Sequence, residues 1–141
     1  MILIVDDHAD TRDALVRLLQ LKGHDAIAVA DGAQVLLFLQ THPPPALIIL
    51  DINMPHLDGI GVLRALRADA RLATVPVVVF SADERPRAEA MRLGAVAYVL
   101  KGSLDWMKLS EQIDSLATRA EKPAPAPTAD QAPKTGPRSA P

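Results

Sequence analysis

The chain has 141 residues, 49% of them hydrophobic but only 3% aromatic, so it is long enough for one core and that core must be aliphatic. It has no cysteine, which excludes a disulfide framework and a thiolate metal site. The net charge is −2; the segment from Lys122 carries Lys122, Lys134 and Arg138 against Asp130, so it is +2 and the part before it −4, no electrostatic footprint for nucleic acid.

In chain order, apolar runs alternate with helical patterns five times. Ile2-Leu3-Ile4-Val5 is short and unbroken, as a strand covered on both faces must be. A helix is expected from about Ala9 to Lys22, with Ala14, Leu15, Leu18 and Leu19 as its inner stripe and Gly23 placed to end it. Strand 25–30 follows. Asp31 with Gln34 resembles a capping box opening a helix to about Thr41. Pro43-Pro44-Pro45 forbids helix before a strand at 46–50. Asp58 can cap a third helix, about Gly59 to Ala68. Pro76 is tolerable only near the start of the fourth strand, whose run Val77-Val78-Val79-Phe80 ends in Ser81. A helix is expected from Pro86 to Leu93, then a strand at 97–100 and a helix from about Leu104 to Ala120, where Trp106, Leu109, Ile113, Leu116 and Ala120 recur at helical spacing. From residue 121 the composition changes: six of twelve prolines fall in the last twenty residues, and a disordered, Pro/Ala-rich tail is expected at 121–141 after a domain at 1–120.

Repeated βα units call for a parallel sheet with helices on both faces. With strand order 2-1-3-4-5 the switch point lies between the first and third strands, where ligands bind at the carboxyl ends. Those strands end in Asp6-Asp7 and Asp51, and the fourth and fifth end in Ser81 and Lys101. Singly, each acid reads as a solvated loop residue, Ser81 as a turn residue and Lys101 as a surface lysine. Together at one crevice they read as a site for Mg²⁺ and a phosphoryl group. Two carboxylates about 4 Å apart repel by roughly 4 kcal/mol at an effective dielectric near 20, and a hard divalent ion answers that charge. Tyr98, the only tyrosine, reads from position alone as a partly packed aromatic. His8, His24, His42 and His56 lack zinc-like spacing and read as surface or loop residues, His8 within reach of solvent bound at the acid pair.

The run Ile-Leu-Ile-Val-Asp6-Asp7, the segment Leu50-Asp51-Ile-Asn53-Met54-Pro55-His-Leu-Asp58-Gly59, the Ser81-Ala82 step and Tyr98-Val-Leu-Lys101 resemble the receiver domain of two-component response regulators, over roughly residues 1–120. The resemblance implies a flavodoxin-like (βα)5 three-layer sandwich. It implies that Asp51 accepts a phosphoryl group from a sensor histidine kinase or a histidine phosphotransfer protein. Asp7 and Asp51 would then bind Mg²⁺ directly, Asp6 through water, and the Asn53 carbonyl would complete the protein ligands. Lys101 and Ser81 would bind phosphoryl oxygens, and movement of Ser81 would let Tyr98 rotate inward. Four positions depart from the family's usual pattern: Gly102 where proline is common, Ser103 where phenylalanine is, Ser81 where threonine is, and His8 where an acid or amide is frequent.

The expected protein is a stand-alone, cytoplasmic phosphorylatable switch, not an enzyme beyond its own phosphorylation and dephosphorylation, with a downstream protein target and with neither nucleic acid nor membrane as a direct partner. One alternative is a haloacid-dehalogenase-like phosphatase. That class carries a second aspartate two residues after its nucleophile, where this chain has Asn53. The other is a receiver cut from a longer regulator or hybrid kinase.

Overall fold

The computed structural model describes residues 1–102 and 105–121, with side chains omitted at 105 and 117–121. Ser103, Leu104 and the expected tail from residue 122 lie outside the described residues.

Strands and helices alternate as β1 (Ile2–Val5), α1 (Ala9–Leu21), β2 (Ala26–Val29), α2 (Gly32–Thr41), β3 (Leu47–Leu50), α3 (Gly59–Ala68), β4 (Val77–Ser81), α4 (Arg87–Arg92), β5 (Ala97–Leu100) and α5 (Asp105–Glu121). The strands form one parallel sheet in the order β2-β1-β3-β4-β5. The βα repetition predicts such a parallel sheet with helices on both faces, and the result is the three-layer, flavodoxin-like arrangement that the resemblance implies.

Side chains alternate across a strand, and the continuous apolar runs therefore feed two cores at once. Leu3, Val5, Ile48, Leu50, Val77 and Val79 pack with Val35, Leu39, Val62, Leu63 and Leu66 of α2 and α3. Ile2, Ile4, Leu47, Ile49, Val78 and Phe80 pack with Leu15, Leu19, Leu109 and Ile113 of α1 and α5. Every residue of β1, β3 and β4 is buried, whereas edge strand β2 is mostly half-buried. Fully burying one such aliphatic side chain contributes about 1.5–3 kcal/mol, so the two cores hold the strand ends rigidly.

Helix ends follow their local chemistry. The Asp31 side chain accepts the Gln34 N–H at 2.8 Å, while Gln34 Oε1 accepts the Ala30 N–H at 2.9 Å, the reciprocal satisfaction of a capping box. Asp58 accepts the Gly61 N–H at 2.9 Å and opens α3. Gly23 and Gly94, at φ 88° and 91°, follow α1 and α4 in the left-handed conformation that glycine adopts without strain. The stripe expected of α1 is rotated: Leu15 and Leu19 are buried, but Leu18 is half-buried and Ala14 exposed, in a groove lined also by Trp106 and Met107. Trp106 itself packs edge-on against Phe80, centroids 5.1 Å apart. Helix α4 is shorter than the sequence suggests, because Pro86 sits just before it and Leu93 closes it.

Arg67, in the last turn of α3, fastens this side of the sheet. Its guanidinium donates to the carbonyls of Leu93, Ala73, Val75 and Gly94 at 2.9–3.0 Å, and burial lowers its pKa. It thereby ties the end of α4 to α3 and to the turn leading into β4.

Candidate functional site

Strands β1 and β3 lie side by side with Val5 opposite Leu50, so the residues that follow, Asp6 and Asp51, leave the sheet together. The Asp51 N–H donates to the Val5 carbonyl at 2.8 Å, and the Asp6 N–H to the Val29 carbonyl at 3.2 Å, fixing both backbones. Behind Asp51, the Gly59 N–H donates to the Ile52 carbonyl at 2.8 Å. A Cβ at Gly59 would collide with the Asp51 carbonyl oxygen and come within 2.7 Å of Ile52 Cα. The glycine of the Asp58-Gly59 pair thus lets the start of α3 press directly under the strand end that carries Asp51.

Asp6 and Asp51 are buried, and Asp7 is partly open to solvent. Lys101 reaches over from the end of β5: its Nζ is 2.7 Å from Asp6 Oδ2 and 3.6 Å from Asp51 Oδ2. Its backbone is set by the Lys101 N–H donating to the Ser81 carbonyl at 2.8 Å. Asp6 Oδ1 accepts the His8 N–H at 2.8 Å. Both Asp6 oxygens are therefore engaged by the protein. Two other buried oxygens are not: Asp7 Oδ1 and Asp51 Oδ2 have no hydrogen-bond partner. His8 Nδ1 lies 3.1 Å from Asp7 Oδ1, but without hydrogen-bond geometry. Burial is the main cause that raises the Asp51 pKa above its ordinary 3.8; Lys101 pulls it down, and Asp6 and Asp7 push it up.

Ligand-capable atoms of Asp6, Asp7, His8 and Asp51 all lie within 4.8 Å of one another. Two orphaned carboxylate oxygens among hard donors are what Mg²⁺ takes: oxygen ligands, one or two carboxylates and retained water. The residues present fit that ion.

On the far side of the crevice Ser81 is fully buried, and its Oγ accepts the Asp83 N–H at 3.2 Å. The Asp83 carbonyl accepts the Tyr98 hydroxyl. The Asp83 carboxylate takes Arg85 Nε at 3.0 Å and Nη2 at 2.9 Å, and Asn53 also bonds to it, which together with the Arg85 N–H hold its pKa near about 2. Burial raises the Tyr98 pKa, its ring is packed in the core, and the Arg87 guanidinium lies 5.9 Å over it. The Tyr98 ring thus lies inside, with its hydroxyl bonded to the Asp83 carbonyl.

The structure brings together Asp6, Asp7, Asp51, Ser81 and Lys101 at one crevice, with Asn53 and Tyr98 joined to it through Asp83. One participant escapes the sequence reading: Asp83, which no strand-end position advertises. His8, which the sequence places within reach of solvent at the acid pair, turns its ring back onto the acids themselves. His42 stacks on Phe38 at 3.9 Å, in α2.

An acidic crevice at the switch point of a 2-1-3-4-5 parallel sheet, faced by a buried hydroxyl and a lysine, defines a phosphoryl-signalling class of α/β protein. The sequence matches the response regulator receiver domain over residues 2–114, and the chain belongs to that family. It is 36% identical over 124 residues to the probable transcriptional regulator ycf27 of Porphyridium aerugineum, a match that covers 86% of this chain and 49% of that protein. The chain spans about half the length of the curated relatives it matches. Among solved structures it resembles a response regulator receiver protein from Pseudomonas putida, with TM-score 0.74 and 32% identity over 81% of this chain and 94% of that one. The Thermotoga maritima response regulator TrrA, solved in complex with Mg²⁺-BeF, matches with TM-score 0.72 and 28% identity over 82% of this chain and 96% of that one. Among the described residues, no helix is long and apolar enough to cross a membrane.

Proposed function

We propose that this protein is the phosphoryl-accepting switch of a two-component system, with Asp51 as acceptor. The carrying observation is Asp51 Oδ2: buried, without a hydrogen-bond partner, and 3.6 Å from Lys101 Nζ. A carboxylate oxygen of Asp51 attacks phosphorus, the P–N bond to a histidine of the sensor kinase or phosphotransfer protein breaks, and the imidazole keeps that electron pair. Asp7, Asp51 and the Asn53 carbonyl would hold Mg²⁺, with Asp6 acting through water, and the ion would supply positive charge to the phosphoryl oxygens. Lys101 is shared between Asp6 and Asp51, so a phosphoryl oxygen on Asp51 competes for its ammonium with Asp6. The Ser81 hydroxyl, whose oxygen accepts the Asp83 N–H, donates its own proton to a second phosphoryl oxygen.

In this reading the receiver domain of residues 1–120 carries the phosphoryl chemistry, and the protein works in the cytoplasm. It catalyses only its own phosphorylation and dephosphorylation, and its downstream partner is a protein. A second reading comes from the relatives: ycf27 is a probable transcriptional regulator, and this chain matches 49% of it, which suits a receiver belonging to a longer regulator. Asn53, in the position where a haloacid-dehalogenase-like phosphatase carries its acid/base aspartate, argues against that enzyme class.

Incubation with Mg²⁺ and acetyl phosphate, acid quenching and intact-mass measurement tests the acceptor. The wild type gains one labile phosphoryl group; Asp51→Asn gains none and stays folded by circular dichroism. A full-yield adduct on Asp51→Asn rejects the assignment, and turnover of many small phosphate esters favours a phosphatase.

A further inference from the structure

His8 occupies the N-cap position of α1 in extended conformation, φ −93° and ψ 117°, yet its side chain makes no capping bond. The ring instead turns back over the crevice, Nδ1 lying 3.1 Å from Asp6 Oδ1 and 3.1 Å from Asp7 Oδ1. Its Nδ1 belongs to the set of ligand-capable atoms, with those of Asp6, Asp7 and Asp51, that lie within 4.8 Å of one another. One member of that set is also short of a partner: Asp51 Oδ2, on a side chain 3% exposed, has no hydrogen bond, with only the Lys101 ammonium near it at 3.6 Å.

The spacing carries further information. With metal–ligand bonds of about 2.1 Å, adjacent ligand atoms of an octahedron lie about 3 Å apart and opposite ones about 4.2 Å. The 3.1 Å between His8 Nδ1 and Asp7 Oδ1, which is not a hydrogen bond, matches the edge length of such an octahedron. An imidazole also changes which ion such a site prefers. Mg²⁺ gains nothing from nitrogen over water, whereas affinity for imidazole rises steeply along the first-row transition dications toward Ni²⁺ and Cu²⁺.

We propose that His8 Nδ1 is a direct ligand of this site, so that it prefers first-row transition dications to Mg²⁺. The proposal rests on the reading of Asp7 and Asp51 as metal-binding carboxylates and adds to it a nitrogen donor and a selectivity. The competing arrangement has Nδ1–H donating to Asp6 Oδ1, with His8 a bystander to any ion.

Calorimetric titration of the full chain with NiCl₂ and with MgCl₂, at one fixed pH, decides between them. Three variants are compared with wild type: His8→Ala, His8→Asn, which keeps a hydrogen-bond donor, and Asp7→Asn. His8 side-chain exposure is 65%, so its replacement leaves the fold intact, which circular dichroism checks. The expected result is one Ni²⁺ bound at least about a hundredfold more tightly than Mg²⁺, weakened about tenfold or more by both His8 variants, with Mg²⁺ affinity changed less than about threefold. Pulsed EPR of the Mn²⁺-loaded protein should show a ¹⁴N coupling that His8→Ala removes. Equal effects of the His8 variants on both ions, or no effect on Ni²⁺, or no ¹⁴N coupling, overturn the proposal while Asp7→Asn still weakens both ions. If Asp7→Asn weakens neither ion, the carboxylate site itself is misplaced and the proposal falls with it.

Discussion

The two sides of the crevice satisfy their polar atoms differently. On the β1–β3 side, Asp7 Oδ1 and Asp51 Oδ2 are buried without a donor, and one ammonium is divided between Asp6 and Asp51. On the β4–β5 side, Ser81 Oγ, the Asp83 N–H and carbonyl, the Asp83 carboxylate and the Tyr98 hydroxyl are all bonded to one another or to Arg85. Like charges about 4 Å apart cost roughly 4 kcal/mol at an effective dielectric near 20, whereas each neutral hydrogen bond contributes about 1 kcal/mol. The first side is thus loaded and relieved by added positive charge. The second is closed, its polar atoms bonded to one another or to Arg85.

The largest effect expected from this contrast is that of Lys101→Ala. It removes the only side-chain cation within 4 Å of Asp6 Oδ2 and Asp51 Oδ2 among the described residues. Breaking a buried pair on one side typically costs about 3 kcal/mol. Urea unfolding in a chelator should show that loss, and Mg²⁺ should return part of it. A loss below about 0.5 kcal/mol would mean that the acid side is not loaded as described. Smaller effects are expected on the closed side. Ser81→Ala deprives the Asp83 N–H of its acceptor, Tyr98→Phe deprives the Asp83 carbonyl of its donor, and each should cost about 1 kcal/mol. Because both bonds hold one residue, the double variant should lose measurably less than the two single losses together. Strict additivity would show that Ser81 and Tyr98 are not linked through Asp83.

The same contrast explains what the sequence discloses. The acid side is legible because each acid terminates an apolar run: a strand covered on both faces excludes unpaired charge from its interior, so Val5-Asp6 and Leu50-Asp51 mark where the sheet ends and the crevice starts. Helix starts are legible for an equally local reason, since Asp31 and Asp58 need bond only N–H groups three residues on. The closed side is not local. That the Tyr98 hydroxyl meets the Asp83 carbonyl depends on how far the loop after β4 folds over β5, which no spacing encodes. His8 is hidden differently: its ring direction depends on one backbone turn after Asp7, and a histidine at a helix start has several directions open to it. Helix α1 shows the limit of periodicity, which names Ala14 and Leu18 as readily as Leu15 and Leu19 without saying which pair faces the sheet.

The smallest effect, and the one that separates the two sides most directly, is pH dependence of opposite sign. Asp51 has its folded pKa raised above 3.8, chiefly by burial. The folded protein then holds that proton more tightly than the unfolded chain does. In a chelator, the Asp51 contribution favours folding below pH 3.8 and is lost as pH rises through the raised value. Asp83 has its folded pKa lowered to about 2 by Arg85 and Asn53. Its contribution is present above 3.8 and is lost as pH falls toward 2. Urea unfolding of wild type, Asp51→Asn and Asp83→Asn from pH 2 to pH 7 separates the two. The stability of Asp51→Asn relative to wild type should rise with pH above 3.8 and then level off, and Mg²⁺ at pH 7 should shrink the difference by stabilising only the wild type's metal-bound state. The stability of Asp83→Asn relative to wild type should fall between pH 2 and 3.8 and stay constant above, by a small amount because Arg85, its main partner, is 90% exposed and solvent-screened. If Asp51→Asn tracks wild type at every pH, the carboxylate is not held in a loaded crevice, and the contrast between the two sides fails where it matters most for phosphoryl transfer.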